Sequence, residues 1–284
     1  MKVESQVALS NATPQISYDE YQKNIADIRS HIKSGEVYQV NFTLPLNVKI
    51  EGEPETLFRR ILDRHPVSHA AYIDDGESVV LSFSPELFLE KRGGAIACRP
   101  MKGTAPRYPD MEDDLRSADA LQKSEKNRAE NAMIVDLLRN DMGRIARTGS
   151  VKVESLFDVE CYPSIWTLTS TIKAEIGEAS LFDVLRAMFP CGSVVGAPKI
   201  AAMRCISELE SFYRGLYCGS VGWMSPNGDY SLNVAIRTLV LDKNGCGVYG
   251  VGGGIVFDSE AHLEWEECQW KSRILGTEGL SDWK

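Results

Sequence analysis

A lone lysine stands between a proline and a glycine in the hexapeptide Arg99-Pro100-Met101-Lys102-Gly103-Thr104. Proline fixes its own backbone and glycine reaches conformations closed to other residues, so the chain there is stiff and sharply turned. A lysine amine held on such a turn and partly dehydrated is suited to nucleophilic catalysis. The alternative is a solvated lysine in a surface turn, which is the common state of lysines.

Carboxylates at helical spacing form a second candidate site. Glu264, Glu267 and Lys271 are three and four residues apart, which places them on one face of a helix predicted over 260–275. Glu130 precedes an apolar run in another predicted helix, where a carboxylate is less favourable than on a solvated face. Carboxylates converging from two helices would suit a hard divalent cation, Mg²⁺ above others. A solvated ladder of weak surface ion pairs is the alternative.

Two glycine-bearing stretches are candidates for contact with an anionic ligand. The loop 191–199 enters a helix whose free N–H groups can receive a carboxylate or phosphate, but it lacks the Walker spacing. Gly250, Gly252, Gly253 and Gly254 are not followed by an immediate helix, which disfavours a dinucleotide fold. Close approach of backbone to a ligand and a simple bulge or turn remain the two interpretations.

The elements that must position these residues are mixed α and β. Ser17 and Glu20 form a capping box at the start of the first predicted helix. Periodicity and turn residues predict helices over 18–34, 54–65, 124–146, 181–189, 198–213 and 260–275. Strands are predicted over 37–46, 69–73, 78–83, 87–91, 95–98, 217–224 and 229–241, with another starting at residue 247.

Three local patterns bear on the candidate residues. The short strands within 69–98 are expected to form one antiparallel meander that leads into the lysine hexapeptide. Asn227-Gly228 is a strong hairpin-turn signal. The predicted hairpin strands place Tyr217 near their start and Arg237 near their end, where each can contact a carboxylate. The charged stretch 109–127 has little apolar periodicity and is expected to be a loop that enters a helix.

Composition bounds the class of protein. The chain has 284 residues, of which 43% are hydrophobic, enough for one large core, and it has no Gly/Ser-rich or Pro-rich linker. No stretch of about eighteen apolar residues occurs and the first ten residues lack a signal peptide, so we expect a soluble, cytoplasmic protein. Seven cysteines without a CxxC pair disfavour a disulfide framework and a zinc site. A net charge of −9 disfavours nucleic acid and anionic membranes as main partners.

Seven segments in fixed order resemble the chorismate-utilising enzymes, and the likeness extends over 18–275. The segments are Tyr38-Gln39-Val40-Asn41, Ser84-Pro85-Glu86, Arg99-Pro100-Met101-Lys102-Gly103-Thr104, Arg128-Ala129-Glu130-Asn131, Ile134-Val135-Asp136-Leu137-Leu138-Arg139-Asn140-Asp141, Gly196-Ala197-Pro198-Lys199 and Glu264-Trp265-Glu266-Glu267. The resemblance implies an α+β fold like that of anthranilate synthase component I. In that fold two antiparallel β-sheets pack face to face, with helices outside. We expect 1–284 to form a single chorismate-binding catalytic domain, compact and without the family's N-terminal extension.

Within the family the chain is most similar to the aminodeoxychorismate-forming branch of para-aminobenzoate and folate biosynthesis. By resemblance, Lys102 attacks C2 of chorismate and expels the C4 hydroxyl, and ammonia then adds at C4 and releases the lysine. Glu86 matches the acid/base carboxylate. Glu130 and Glu267 match Mg²⁺ ligands, with Glu264 in a water-mediated role. The resemblance implies substrate contacts by Thr104, Tyr217, Arg237, Gly252, Gly253, Gly254, Lys271 and Gln39. A separate glutamine amidotransferase subunit would supply the ammonia.

Departures within the family leave two alternatives open. Anthranilate synthase component I, which typically has alanine where Lys102 stands, is the first; a non-catalytic paralogue is the second. Isochorismate and salicylate synthases have a water-activating lysine where this chain has Gln39. Relatives usually carry a histidine where this chain has Thr167, so leaving-group assistance is expected to differ in detail.

Overall fold

The computed structural model describes residues 8–163, 165–276 and 283. The chain divides into two compact units, each assembled from segments distant in sequence. The first comprises the described parts of Met1–Pro85, Pro198–Val221 and Ala235–Lys284, and the second comprises those of Glu86–Ala197 and Gly222–Val234. The single catalytic domain over 1–284 stays a prediction.

Helices and strands contribute in similar measure, and the α+β class with two antiparallel sheets is confirmed. The helices are α1 Tyr18–Lys33, α2 Pro54–Arg64, α3 Met111–Lys123, α4 Glu125–Gly143, α5 Leu181–Met188, α6 Lys199–Leu209 and α7 Ala261–Ser272. The strands are β1 Ala8–Pro14, β2 Gln39–Glu51, β3 His69–Asp74, β4 Ser78–Ser84, β5 Leu87–Arg92, β6 Ala95–Arg99, β7 Met101–Pro106, β8 Lys152–Cys161, β9 Ile165–Glu175, β10 Gly196–Ala197, β11 Gly222–Met224, β12 Tyr230–Asn233, β13 Thr238–Asp242 and β14 Cys246–Ile255.

The first unit is built on an antiparallel sheet with the strand order β1-β2-β14-β13-β4-β3. β2 is the central element of its core, because its first eight residues are all buried. β14 runs along β2 with Gly252 opposite Thr43 and Gly254 opposite Asn41. Helices α1 and α7 cover this part of the sheet, where Tyr21 packs against Phe42 at a ring-centroid distance of 5.4 Å. The sheet therefore holds the glycine-rich stretch in a rigid strand.

The second unit is built on another antiparallel sheet, with the order β11-β12-β5-β6-β9-β7 and with β8 paired to β9. Helix α4 packs on β7 and β9, and its Ile134 and Leu138 are fully buried or nearly so. Ser124 caps α4 by accepting a hydrogen bond from the backbone N–H of Asn127 at 3.3 Å. The lysine hexapeptide joins β6 to β7, so the sheet fixes it on both sides.

Several predicted elements are confirmed with small shifts at their ends. Of the capping box predicted at α1, the half made by Ser17 is confirmed: its Oγ accepts from the backbone N–H of Glu20 at 3.2 Å. The final helix ends at Ser272 and continues as a 3-10 turn over Arg273–Leu275. The helix predicted over 198–213 ends at Leu209. In the described part of the chain no helix is long and apolar enough to span a membrane.

The prediction of a loop over 109–127 was wrong, because α3 occupies most of it. Asp110 caps α3 by accepting from the backbone N–H groups of Glu112 and Asp113. Only Asp114 and Leu121 of α3 are buried, and Arg116 pairs with Glu112 one turn away. A helix stabilised by its cap and by surface ion pairs carries little apolar periodicity, which is the signal that the prediction required.

Two predictions of strand pairing were also wrong. The strands within 69–98 do not form one meander, because the chain leaves the first sheet after β4 and enters the second at β5; β13 is the other partner of β4. Asn227-Gly228 does turn a hairpin, but its strands are the short β11 and β12. Tyr217 lies outside strands because β11 begins only at Gly222, and Arg237 lies in the gap between β12 and β13. Consecutive strands show the same alternating pattern whether they pair with each other or belong to different sheets. Periodicity therefore does not reveal which strands pair.

Candidate active site

Lys102 lies in a β-bulge of β7. Met101 stands opposite Thr169 and Thr104 opposite Thr167, so Lys102 and Gly103 together face a single residue of β9. Gly103 has a φ of +86°, a conformation that residues other than glycine rarely adopt. The sequence argument for a turned, constrained lysine is confirmed as geometry.

Side chains from two elements enclose this bulge. A Cβ at Gly103 would lie 2.9 Å from Cβ of Asn127 on α4, so only glycine fits. On the other side the Thr167 hydroxyl of β9 donates to the carbonyl oxygen of Gly103 at 3.0 Å. Asn127 was not among the predicted site residues. Its position three residues after the capping Ser124 is a helix-start signal, and nothing in the sequence connects it to Gly103.

The other predicted residues of the second unit lie in its sheet or next to it. Glu86 directly precedes β5 and is 4% exposed, and its carbonyl oxygen accepts from the Val234 backbone at 3.0 Å. Glu130 is half-buried on α4. Thr104 lines a cavity of about 650 Å³ between β7, one side of α3 and the first turn of α4. Arg116 and Asp113 of α3 form part of the same wall and are ion-paired with each other at 3.2 Å, so the cavity combines this pair with hydroxyl and amide groups.

A buried carboxylate that the sequence analysis did not identify fixes α3 to this sheet. Both oxygens of Asp114 accept from Nε of Arg107 at 2.9 Å, and one accepts from Nε1 of Trp166 at 2.9 Å. The Arg107 guanidinium, and after it the Tyr108 backbone N–H and the Trp166 indole, lower the pKa of Asp114 to about 2 despite the opposing effect of burial. Asp114 therefore remains ionised over the neutral range and holds one wall of the cavity.

In the first unit, three side chains of α7 converge on Gly253 of β14. A Cβ at Gly253 would lie 3.0 Å from Oε2 of Glu264, and 3.8 Å from both Oε1 of Glu267 and Nζ of Lys271. Ser259 orients Glu264 by donating to its Oε1 at 2.7 Å. The predicted common face is confirmed, and the absence of a side chain at Gly253 is what leaves room for it.

Lys271 is held between a carboxylate and a backbone carbonyl. Its Nζ lies 2.6 Å from Oε1 of Glu267 and 2.6 Å from the carbonyl oxygen of Gly252. Burial is the largest single effect and lowers the pKa of Lys271, but the charge of Glu267, helped by Cys268 and Glu264, outweighs it and the net pKa is raised. A fixed ammonium beside β14 can receive an anionic group of a ligand.

Tyr217 lies against β14, and the backbone carbonyl of Arg237 accepts from Phe83 of β4 at 3.0 Å. The ring of Tyr217 fills the space beside Gly250, and burial raises the pKa of this phenol well above its usual value, so it remains a hydrogen-bond donor. Arg237 has a φ of +50°, an unusual backbone state for a residue with a side chain. Burial, and after it the charge of Arg237, lowers the pKa of His65.

Gln39 at the start of β2 is fully buried, and neither Nε2 nor Oε1 of its amide has a hydrogen-bond partner among the described residues. Buried amides are nearly always hydrogen-bonded, because an unsatisfied one lowers stability. This buried amide is a candidate ligand contact, in agreement with the role that the resemblance implies for Gln39.

The donor set on α7 fits a hard divalent cation. Two carboxylates, Glu264 and Glu267, face the space that a Cβ at Gly253 would fill, with the ammonium of Lys271 beside Glu267. Across residues 8–163, 165–276 and 283, no three His, Cys, Asp or Glu side chains are grouped closely enough to hold a metal by themselves. Two protein carboxylates with the remaining positions left to water and substrate is the usual arrangement for Mg²⁺.

Comparison with solved structures gives the class of protein first. The fold is similar to that of anthranilate synthase component I from Streptococcus pneumoniae TIGR4, with a TM-score of 0.86, 33% sequence identity, and coverage of 94% of this chain and 60% of that chain. Residues 1–276 match the family described as chorismate binding enzyme. The chain belongs to this family.

Curated relatives carry two different names. The chain is 42% identical over 262 residues to aminodeoxychorismate synthase component 1 of Klebsiella aerogenes, covering 92% of this chain and 58% of the relative. It is 37% identical over 274 residues to anthranilate synthase component 1 of Aquifex aeolicus, covering 96% and 55%. The chain thus spans less than two thirds of the length of these relatives.

Proposed function

We propose that this chain aminates chorismate to 4-amino-4-deoxychorismate, the activity of an aminodeoxychorismate synthase, in para-aminobenzoate and folate biosynthesis. The observation that carries the proposal is Lys102 in its bulge, because an amine held on rigid backbone is what a covalent route requires. The similarity to the Klebsiella aerogenes relative of that name supports the same choice.

The proposed route has two allylic displacements. The neutral amine of Lys102 forms a bond to C2 of chorismate, the ring double bond shifts, and the C4–O bond breaks as the hydroxyl takes a proton and leaves as water. Ammonia then forms a bond to C4, the double bond shifts back, and the C2–N bond to Lys102 breaks. The lysine amine is restored, and the net change replaces the C4 hydroxyl with an amino group and releases water.

Other residues have supporting roles in this proposal. Glu86, buried beside β5, moves protons to or from the leaving hydroxyl, the lysine and ammonia. Thr104 orients the ring, and Gln39 contributes its buried amide to substrate binding. The carboxylates of the substrate are received by Lys271 and by a further set of groups on the first unit. These are Tyr217, Arg237 and the backbone of Gly252, Gly253 and Gly254.

Glu267 and Glu130 would bind Mg²⁺ directly in the proposal, and Glu264 would act through a bound water. The bound ion would neutralise the ring carboxylate and so favour attack by an uncharged amine. The relatives' designation "component 1" supports a second subunit, for which we propose a glutamine amidotransferase that supplies ammonia.

Anthranilate formation is a second candidate, supported by the Aquifex aeolicus relative and by the Streptococcus pneumoniae structure. One assay separates the two. The protein is incubated with chorismate, Mg²⁺ and ammonium, and the product is identified by mass and chromatography, with ammonium omitted as the control. Aminodeoxychorismate supports the proposal and anthranilate supports the second candidate. Chorismate that remains unchanged contradicts both.

A further inference from the structure

We infer that Thr167 is a positioning residue for Lys102, acting through the backbone of the β7 bulge. The inference rests on the nucleophilic role proposed above for Lys102. Thr167 is 1% exposed on β9, and its hydroxyl donates to the carbonyl oxygen of Gly103 at 3.0 Å. Gly103 follows Lys102 directly, so this hydrogen bond restrains the Gly103–Thr104 peptide unit, one residue beyond the lysine, and with it the backbone of the bulge.

The bulge needs such a restraint because its strand ladder is interrupted. Regular pairing between β7 and β9 is lost between Met101 and Thr104, where Lys102 and Gly103 form the bulge. Asn127 packs against Gly103 from α4 and blocks movement toward that helix, but it is not a hydrogen-bond donor to the bulge carbonyl. The Thr167 hydroxyl supplies the directional contact at this point.

The same contact determines how Thr167 can act. A threonine hydroxyl has one proton to donate, and here that proton is directed at Gly103. Thr167 therefore acts by holding the lysine backbone in place and not by passing a proton to the substrate. Loss of the hydroxyl should misplace the amine of Lys102, which lowers the rate of the chemical step while substrate binding by other residues persists.

The test compares matched variants of the full chain. Thr167→Val removes the hydroxyl at nearly constant volume, and Thr167→Ser retains it. Thr169→Val is the control, because Thr169 is equally buried on the same strand but its hydroxyl donates to Glu160 at 2.7 Å. In the chorismate assay we expect Thr167→Val to lower kcat by about tenfold or more with KM within about twofold, and the other two variants to stay within about threefold.

A second readout is independent of turnover. Hydrogen exchange of the peptide containing residues 101–104, followed by mass spectrometry, should be faster in Thr167→Val than in wild type and unchanged in Thr169→Val. If Thr167→Val does not fold, Thr167→Ala makes the same comparison with less bulk.

The outcomes distinguish this inference from the proposed function. Selective loss of kcat with rescue by serine supports the positioning role. Unchanged kcat and unchanged exchange in Thr167→Val overturn it while the amination activity stands. If wild type leaves chorismate unchanged while residues 101–104 still exchange faster in Thr167→Val, the hydrogen bond does restrain the bulge, but the proposed function is overturned. A matching loss in Thr169→Val would mean that any buried threonine of β9 matters, and would also overturn the inference.

Discussion

The ring of Tyr217 occupies the space that a side chain at Gly250 would need. The three atoms nearest to an ideal Cβ at Gly250 all belong to that ring. β14 therefore sets the position of Tyr217, although Tyr217 itself lies outside any strand. The glycine is required by a close approach within the protein, which is neither the ligand contact nor the simple bulge or turn that the sequence left open at this position.

Replacing Gly250 with alanine should destabilise the fold by about 1–3 kcal/mol, because the added methyl overpacks the Tyr217 ring. Chemical denaturation measures this change. Gly143→Ala is the control, since a Cβ there meets no atom within 4 Å. In a Tyr217→Ala background the cost of Gly250→Ala should fall to well under half. Equal costs in both backgrounds would show that the ring is not the obstacle.

The buried, unpaired amide of Gln39 should lower the free energy of unfolding and contribute to chorismate binding. Gln39→Met keeps the length of the side chain and removes both unpaired polar atoms, so we expect the free energy of unfolding to rise by about 1 kcal/mol. The KM for chorismate should rise in the same variant. The surface change Gln22→Met should alter neither quantity. A destabilised Gln39→Met protein would show that the amide is satisfied in the free protein.

The α7 carboxylates should govern the affinity for Mg²⁺. Glu264→Gln and Glu267→Gln each remove a charge facing Gly253, and we expect Mg²⁺ binding to weaken by about tenfold or more in each, measured by calorimetry without turnover. Glu266→Gln is the matched control, because Glu266 is exposed on the same helix and is not part of the set around Gly253. Equal weakening in all three variants would indicate a general charge effect and not a site.

Asp114 should make stability depend on pH in the acid range. Its pKa is lowered to about 2 by Arg107 first and by the Tyr108 backbone and Trp166 next, against burial. A lowered pKa stabilises the fold above the unfolded value of about 4, and this contribution is lost as the pH falls toward 2. Between pH 5 and pH 2 the midpoint temperature of thermal unfolding should therefore fall less steeply in Asp114→Asn than in wild type. Asp113→Asn, one residue earlier and exposed, should follow the wild-type curve; identical slopes in all three proteins would contradict this assignment.

Local signals in the sequence predicted much of the fold and part of the site. The cap of α1, the Asn227-Gly228 turn and the constrained state of Lys102 each depend on a few adjacent residues, and each is confirmed. The common face of Glu264, Glu267 and Lys271 follows from helical spacing in the same way.

Features that depend on distant segments could not be predicted. The distribution of consecutive strands over the two sheets depends on pairings between distant segments, such as β13 with β4, and no local sequence signal predicts such a pairing. The contacts of Asn127 and Thr167 with Gly103 join residues 24 and 64 positions apart, and the Asp114 network was missed because α3 has almost no apolar stripe. Such side chains look like ordinary polar residues until the backbone brings them together.

The central claim is that Lys102 is the nucleophile of an amination at C4 of chorismate. The most direct test measures product formation from chorismate, ammonium and Mg²⁺ by wild type, Lys102→Ala and the control Lys126→Ala, which changes an exposed lysine of the same unit. We predict aminodeoxychorismate from wild type and Lys126→Ala, and its loss or severe slowing in Lys102→Ala. Wild-type turnover in Lys102→Ala, or anthranilate as the product of all three proteins, would contradict the claim.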